Sequence, residues 1–133
     1  LINHASAMGH FLECAMNKAE SDIQKEILKY AKLHSKIAWL DRANSGKVKV
    51  KGGWMQLHEV GTPDLIGYSI DGKFIGIEIK DEPSFNSKNN GASKDQLTRI
   101  ADMNKHFCYV GIACCVEHVD DIMRGKLKHA AHL

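Results

Sequence analysis

The sequence predicts a mixed α/β domain with the element order αβββαβα and a mixed central sheet flanked by helices. Apolar residues recur at helical spacing near the start of the chain and again after residue 93. Between residues 36 and 80 the apolar residues instead follow the period of strands, and Asp71-Gly72 separates two of these segments. A chain of 133 residues has the usual length of one domain and can bury a core.

The first helix is predicted over residues 18–33, where Ile23, Ile27, Leu28 and Ala31 form an apolar stripe. A strand over 36–40 and a polar turn over 42–46 follow. Residues 47–51 alternate strictly, with three lysines on one face and two valines on the other. Trp54 is expected to cover the core, and stacking on a splayed base is the alternative.

Two strands, over 64–70 and 73–80, form the predicted hairpin. A two-residue turn at Asp71-Gly72 would set Asp64 opposite Ile79. A three-residue loop that includes Ile70, with Gly72 left-handed, sets Asp64 opposite Glu78 instead. We predict the three-residue loop.

After the hairpin, the polar residues 81–92 are predicted to be a mobile loop that faces the substrate. Ser93 is the expected N-cap of a helix that runs to about Lys105, and Gln96 has the spacing of a capping box. The apolar run 107–116 predicts a central strand, and residues 119–124 predict a short closing helix before Gly125.

The predicted domain spans 18–125, between an extension over 1–17, part of which we expect not to be native, and a tail over 126–133. The net charge of +2 is too small for bulk attraction of nucleic acid, so a polyanion site must be a local cluster. The four cysteines show neither zinc-finger spacing nor the disulfide framework of a secreted protein; they are Cys14, Cys108, Cys114 and Cys115. The adjacent pair, Cys114 and Cys115, is expected to be small buried residues of a strand. Without an apolar membrane segment or signal peptide, we expect a soluble, cytoplasmic protein.

Pro63-Asp64 and Glu78-Ile79-Lys80 carry the chemistry of the predicted hairpin. Period two places Glu78 and Lys80 on one face, and directly opposed residues stand about 5 Å apart at Cβ. Two acids at a buried sheet edge are costly unless a cation lies between them. Both carboxylates and the backbone carbonyl of Ile79 could then bind one magnesium ion, whereas the bland alternative is a solvated strand face.

With these residues the chain resembles the PD-(D/E)xK nuclease superfamily, and within it the virus-type replication-repair nuclease family, as a stand-alone, phage-like member. The resemblance runs from about Ala19 to Arg124. It implies a restriction-endonuclease-like αβββαβ core followed by a short C-terminal helix. It rests on these segments in order: 20–24, 42–46, 61–67, 76–80, 93–97 and 119–122.

The resemblance implies a divalent-metal hydrolase that uses Mg²⁺ or Mn²⁺. Asp64, Glu78 and the Ile79 carbonyl correspond to metal ligands, and Lys80 to the residue that orients the attacking water or offsets charge on the phosphate. Glu20 corresponds to an outer acid that acts on the metal directly or through water, with a first-turn helix acid as the alternative. Gln96 corresponds to a glutamine near the active site, with the capping box as the alternative.

The expected partners are branched DNA and a second copy of the chain. Stand-alone members of the resembled family look like homodimers that resolve four-way (Holliday) junctions. By this resemblance, the protein would act in DNA repair inside a bacterial cell infected by phage. A flap or RNA nuclease of the same fold and a catalytically silent DNA-binding module remain alternatives. The candidate DNA contacts are Arg42, Asn44, Ser45, Lys47, Lys49, Lys51, Lys88 and Lys94, with Arg99 as a further cation. The strand lysines could equally guard an edge against aggregation.

Overall fold

A computed structural model of the chain describes residues 18–44, 47–56 and 58–125. The predicted extension over 1–17, the tail over 126–133, Cys14 and Ser45 lie outside these residues. The described part is a mixed α/β structure with a four-stranded mixed sheet flanked by helices, which confirms the predicted fold class at that level.

Four helices and six strands follow one another along the described residues. A 3₁₀ turn over Lys88–Gly91 also lies between the second and third helices. The elements are α1 (Glu20–Ala31), β1 (Ile37–Arg42), β2 (Lys47–Val50), β3 (Gly53–Gln56), β4 (Leu65–Ser69), β5 (Phe74–Ile79), α2 (Glu82–Phe85), α3 (Lys94–Lys105), β6 (Tyr109–Ala113) and α4 (Val116–Met123).

The main sheet has the strand order β1-β4-β5-β6. β4 pairs antiparallel with β1 and β5, and β5 pairs parallel with β6. The prediction of a central strand over 107–116 is wrong, because β6 is short and lies at the edge of the described sheet. Phe107 has a left-handed φ of 64° and is 81% exposed, while Val116 already belongs to α4. The run is apolar because β6 buries Val110, Ile112 and Ala113, and the loop and helix after it bury Cys114 and Val116.

Helices cover both faces of the sheet. Ile75, Ile77 and Ile79 project from β5 into a large cluster with Ile23 and Ile27 of α1, the helical spacing read from the sequence. A smaller cluster on the opposite face joins α3 to β6. It consists of Ile100, Met103, Val110 and Ile112.

The β4–β5 hairpin has the predicted three-residue loop. Leu65 pairs with Ile77 and Tyr68 with Phe74, which leaves residues 70–72 as the loop. Gly72 has a φ of 80°, a conformation that side-chain-bearing residues rarely adopt, and its N–H donates to the carbonyl of Ser69 at 3.0 Å. Continuing this register by one residue sets Asp64 opposite Glu78, as predicted.

β2 and β3 form a separate two-stranded ribbon. Lys49 pairs with Trp54 across this ribbon, and Trp54 is 67% exposed. The expectation that Trp54 covers the core is therefore wrong, because the ribbon is not part of the four-stranded sheet. Val48 and Val50 are exposed as well, so neither face of the ribbon is buried in the described structure.

Residues 81–92, which were predicted to be a mobile loop, contain α2 and the 3₁₀ turn. Asp81 caps α2 by accepting a hydrogen bond from the Ser84 N–H at 2.9 Å. The Asn90 side chain then donates to the Phe85 carbonyl at 2.7 Å and ties the 3₁₀ turn to α2. Local hydrogen bonds between side chains and the backbone thus stabilise the turns of this segment.

Cys108, Cys114 and Cys115 are not in disulfide bonds. None of the helices in the described ranges is both long and apolar enough to span a lipid bilayer.

Candidate metal centre at the ends of β4 and β5

Asp64 is positioned by the turn that precedes β4. Gly61 in this turn has a φ of 93°, and a Cβ there would lie 2.6 Å from the Asp95 carbonyl oxygen, so the turn packs directly on α3. Pro63 is buried. The Asp64 Oδ2 then accepts a hydrogen bond from the backbone N–H of Ile79 at 2.8 Å. This bond holds one carboxylate of the predicted site against β5.

Glu78 is a buried carboxyl group, with 3% of its surface exposed. Its Oε1 accepts a hydrogen bond from the Gln96 Nε2 at 2.8 Å. Burial, followed by the hydrogen bond and negative charge of Asp64, raises the pKa of Glu78 to about 9, against the opposing effect of Lys80. At neutral pH and without a cation, Glu78 is therefore protonated and is hydrogen-bonded to Asp64.

Gln96 forms the capping box that the sequence offered as one alternative, and it also contacts Glu78. Its Oε1 accepts from the backbone N–H of Ser93 at 2.8 Å, and its backbone N–H donates to the Ser93 Oγ at 3.2 Å, which completes a capping box. Because the amide oxygen is used at the cap, the NH₂ group is turned toward Glu78. The cap of α3 thus fixes the orientation of the acid.

Lys80 directly follows β5 and is half-buried, two residues beyond Glu78 on the same side of the chain. Its backbone N–H donates to the Ala113 carbonyl at 3.1 Å, which continues the parallel pairing of β5 with β6. Its charge favours the ionised forms of both Glu78 and Glu20. The ammonium group is therefore within electrostatic reach of the acids.

Glu20, the first residue of α1, also belongs to this group of charges. Burial raises its pKa; the nearby Lys80 lowers it, and the charges of Asp64 and Asp81 raise it again. The structure thus brings together the five predicted catalytic residues, Glu20, Asp64, Glu78, Lys80 and Gln96. Asp81 is a neighbouring acid that the sequence did not single out, and the hydrogen bonds from Ser84 lower its pKa.

The Ile79 carbonyl is directed toward the same edge as Asp64. In an extended strand the N–H and C=O of one residue point to the same side, and the Ile79 N–H points to Asp64. β4 begins only at Leu65, so at this level no strand residue of β4 pairs with Ile79. The orientation fits the predicted backbone ligand.

An oxygen-rich group of this kind suits Mg²⁺ or Mn²⁺. An acid held protonated first by burial and then by a second acid is the electrostatic arrangement that a divalent cation would relieve. Among the described residues, a group of three metal-ligating side chains with ligand atoms within 4.8 Å of one another is found at Cys114, Cys115 and His118. The carboxylates of the present site do not form such a group of three. Glu20 is accordingly suited to act through a water.

The predicted DNA contacts are exposed wherever the structure describes them. Arg42 ends β1, Asn44 follows it with a left-handed φ of 50°, and Lys51 lies in the turn of the ribbon rather than in β2. Arg99 is hydrogen-bonded to Glu59, so it is not a free cation. The other described members are Lys47, Lys49, Lys88 and Lys94.

A second cluster of reactive side chains was not recognised in the sequence. Cys114 is buried as predicted, but Cys115 is half-exposed and is the N-cap residue of α4, so the pair does not lie in a strand. The hydrogen bond from Cys114 and the proximity of His118 hold the pKa of Cys115 well below its usual range. The adjacent cysteines followed three residues later by a histidine were the available signal.

No protein-family model, curated protein or solved structure matches this chain. The resemblance to the PD-(D/E)xK superfamily stays a prediction from the motifs.

Proposed function

We propose that this protein is a Mg²⁺- or Mn²⁺-dependent endonuclease of the PD-(D/E)xK type that hydrolyses phosphodiester bonds in DNA. The observation that supports it is the joining of β4, β5 and α3 at one point. The Asp64 carboxylate is bound to the Ile79 N–H, opposite a buried Glu78 that is held by Gln96. This pairing of β4 with β5 is the one expected from the sequence, because it places the two carboxylates where they could bind the same cation.

The metal would be held by Asp64, Glu78 and the Ile79 carbonyl, with Glu20 contributing through a water. When bound, a divalent ion supplies Lewis-acid polarisation of the phosphate and lowers the pKa of a bound water. Glu78 must lose its proton before it can be a ligand, and the nearby Lys80 favours that loss.

Lys80 carries the only positive charge among the five residues of the group. Its ammonium would orient the attacking water or donate to the phosphate oxygens, where negative charge increases in the transition state. A lysine suits this place because its compact, rotatable ammonium can follow a water or an oxygen, whereas arginine presents a planar fork. Gln96 is a positioning residue, since it touches the acid and not the substrate.

Cleavage of labelled DNA tests the proposal. The wild-type chain should cut DNA with Mg²⁺ or Mn²⁺ and not with EDTA. Asp64→Asn and Lys80→Gln should each lower the single-turnover rate by about a hundredfold or more. Lys73→Gln, at the opposite end of β5, is the matched control and should cut like the wild type.

Metal binding separates a silent DNA-binding module from an enzyme. Calorimetry with Mg²⁺ or Mn²⁺ should show binding to the wild type and none to Asp64→Asn. Wild-type cleavage by Asp64→Asn would refute the assigned roles. DNA binding without metal binding or cleavage would support the silent module instead.

For the substrate, we propose a four-way DNA junction cut by a homodimer, because two symmetric active sites suit a two-fold junction. This step rests on the family resemblance. Competition among linear, flap, four-way and RNA substrates at equal concentration measures the preference, and sedimentation with and without DNA measures the assembly. Preference for a flap by a monomer would favour the flap-nuclease alternative.

A further inference from the structure

Cys114, Cys115 and His118 form a compact donor cluster where β6 passes into α4. One ligand atom from each side chain lies within 4.8 Å of the other two. Cys114 is buried, whereas Cys115 and His118 are partly buried, so the cluster retains some contact with solvent. The two thiols are free of disulfide bonds.

His118 is held in place from two sides. Its ring stacks on Phe85 of α2, with centroids 4.4 Å apart and an interplanar angle of 16°. Its Nδ1 accepts a hydrogen bond from the backbone N–H of Cys114 at 3.1 Å. An accepting Nδ1 carries a lone pair and no proton, so it can exchange this N–H for a metal ion without losing a proton.

Two sulfurs and one imidazole nitrogen make a donor set for a borderline or soft cation. Carboxylate and carbonyl oxygens favour Mg²⁺ and Mn²⁺, whereas thiolate with imidazole favours Zn²⁺. In tetrahedral zinc sites with Zn–S bonds of about 2.3 Å, two sulfurs lie about 3.8 Å apart. The present spacing, at most 4.8 Å, is therefore within a side-chain rotation of a zinc site.

We propose that Cys114, Cys115 and His118 bind a zinc ion, separately from the carboxylate centre. The three protein ligands leave a fourth position for water or another donor. The site is next to the carboxylate centre, because the Lys80 N–H donates to the carbonyl of Ala113, the residue just before Cys114. The proposal does not depend on nuclease activity.

Cadmium titration of the reduced, metal-free full chain tests this site. Cd²⁺ is the probe because it replaces zinc at sulfur ligands and gives an ultraviolet sulfur-to-metal charge-transfer band. We expect one equivalent to produce the band, and Zn²⁺ to displace the probe. Cys115→Ser and His118→Gln should each weaken binding by about tenfold or more, since even outer-shell changes cost that much.

Matched variants identify the site. Cys115→Ser keeps a good N-cap residue for α4, so it should fold even where the buried change Cys114→Ala does not. Two control variants lie outside the site. Cys108→Ser removes another incompletely buried thiol, and His106→Gln removes another histidine of the chain. Both variants should bind Cd²⁺ like the wild type. Circular dichroism without metal checks that each variant folds.

The outcomes separate this site from the carboxylate centre. Asp64→Asn should keep the charge-transfer band at full strength, whatever its effect on cleavage. An unchanged band and affinity in Cys115→Ser or His118→Gln would overturn the proposal. So would a band that disappears in Cys108→Ser, or the absence of the band in the wild type.

Discussion

The buried carboxyl group of Glu78 has a cost that can be measured without any substrate. In the metal-free folded chain its pKa is raised to about 9, first by burial and then by Asp64, from an ordinary value of 4.5. The folded state therefore binds this proton more tightly than the unfolded state. The stabilisation that comes from protonated Glu78 is fully present below about pH 4.5. It falls as the pH rises toward 9, by up to about 1.4 kcal/mol of unfolding free energy per pH unit.

Glu78→Gln removes the titration and keeps the shape. The glutamine oxygen can still accept from the Gln96 Nε2, and its NH₂ can donate to Asp64 in place of the carboxyl proton of Glu78. At pH 7, about 2.5 units above the ordinary pKa, the metal-free variant should be more stable than the wild type by about 3 kcal/mol. For a chain of this length, that corresponds to a Tm about 10 °C higher.

Urea denaturation in EDTA at pH 5, 6, 7 and 8 measures the effect. The difference in unfolding free energy between variant and wild type should grow with pH. Glu26→Gln, which removes the half-buried carboxylate paired with Lys18, should differ from the wild type by an amount that does not change with pH. A difference between Glu78→Gln and wild type that does not change with pH would refute the reasoning. A variant less stable than the wild type at pH 8 would refute it too.

Magnesium should raise the Tm of the wild type more at pH 8 than at pH 6, because the buried glutamate must first lose its proton, and Asp64→Asn should abolish the rise. Lys80→Arg should lower the single-turnover cleavage rate by about a hundredfold while the Kd for DNA changes little. Gln96→Leu should lower the unfolding free energy by about 1 kcal/mol through the lost cap and weaken magnesium binding by about tenfold, measured by denaturation and calorimetry. Lys49→Gln should weaken DNA binding and reduce the slope of log K against log salt by about 1, whereas Lys29→Gln on α1 should leave both unchanged.

The hairpin shows how far local rules reach. Asp71-Gly72 predicted a turn, and the need to bring Asp64 opposite Glu78 selected the three-residue loop that the structure has. The helix ends were predictable for a similar reason, since Ser93 and Gln96 form a capping box from residues three positions apart. Both features are local, because they involve one hairpin or one helix start and no packing between distant segments.

The errors fall where long-range packing decides. The apolar run 107–116 is compatible with a strand along its whole length, but β6 covers only its middle because its parallel partner β5 ends at Ile79. Trp54 is apolar enough for a core, yet its ribbon is not part of the main sheet, and the described structure leaves Trp54 exposed. Periodicity reports which residues could be buried, and not which neighbours are present to bury them.

The amino-acid order alone determined the alternation that puts Glu78 and Lys80 on one side of β5, and the turn that sets Asp64 beside them. Only the tertiary structure decided that Gln96 caps its helix and holds Glu78 at the same time, and that His118 stands beside two thiols and against Phe85. The physical reason is the distance along the chain between the residues that interact. Backbone geometry fixes the relations between near neighbours, whereas the meeting of α3 with β5, or of α2 with α4, depends on how the whole core packs.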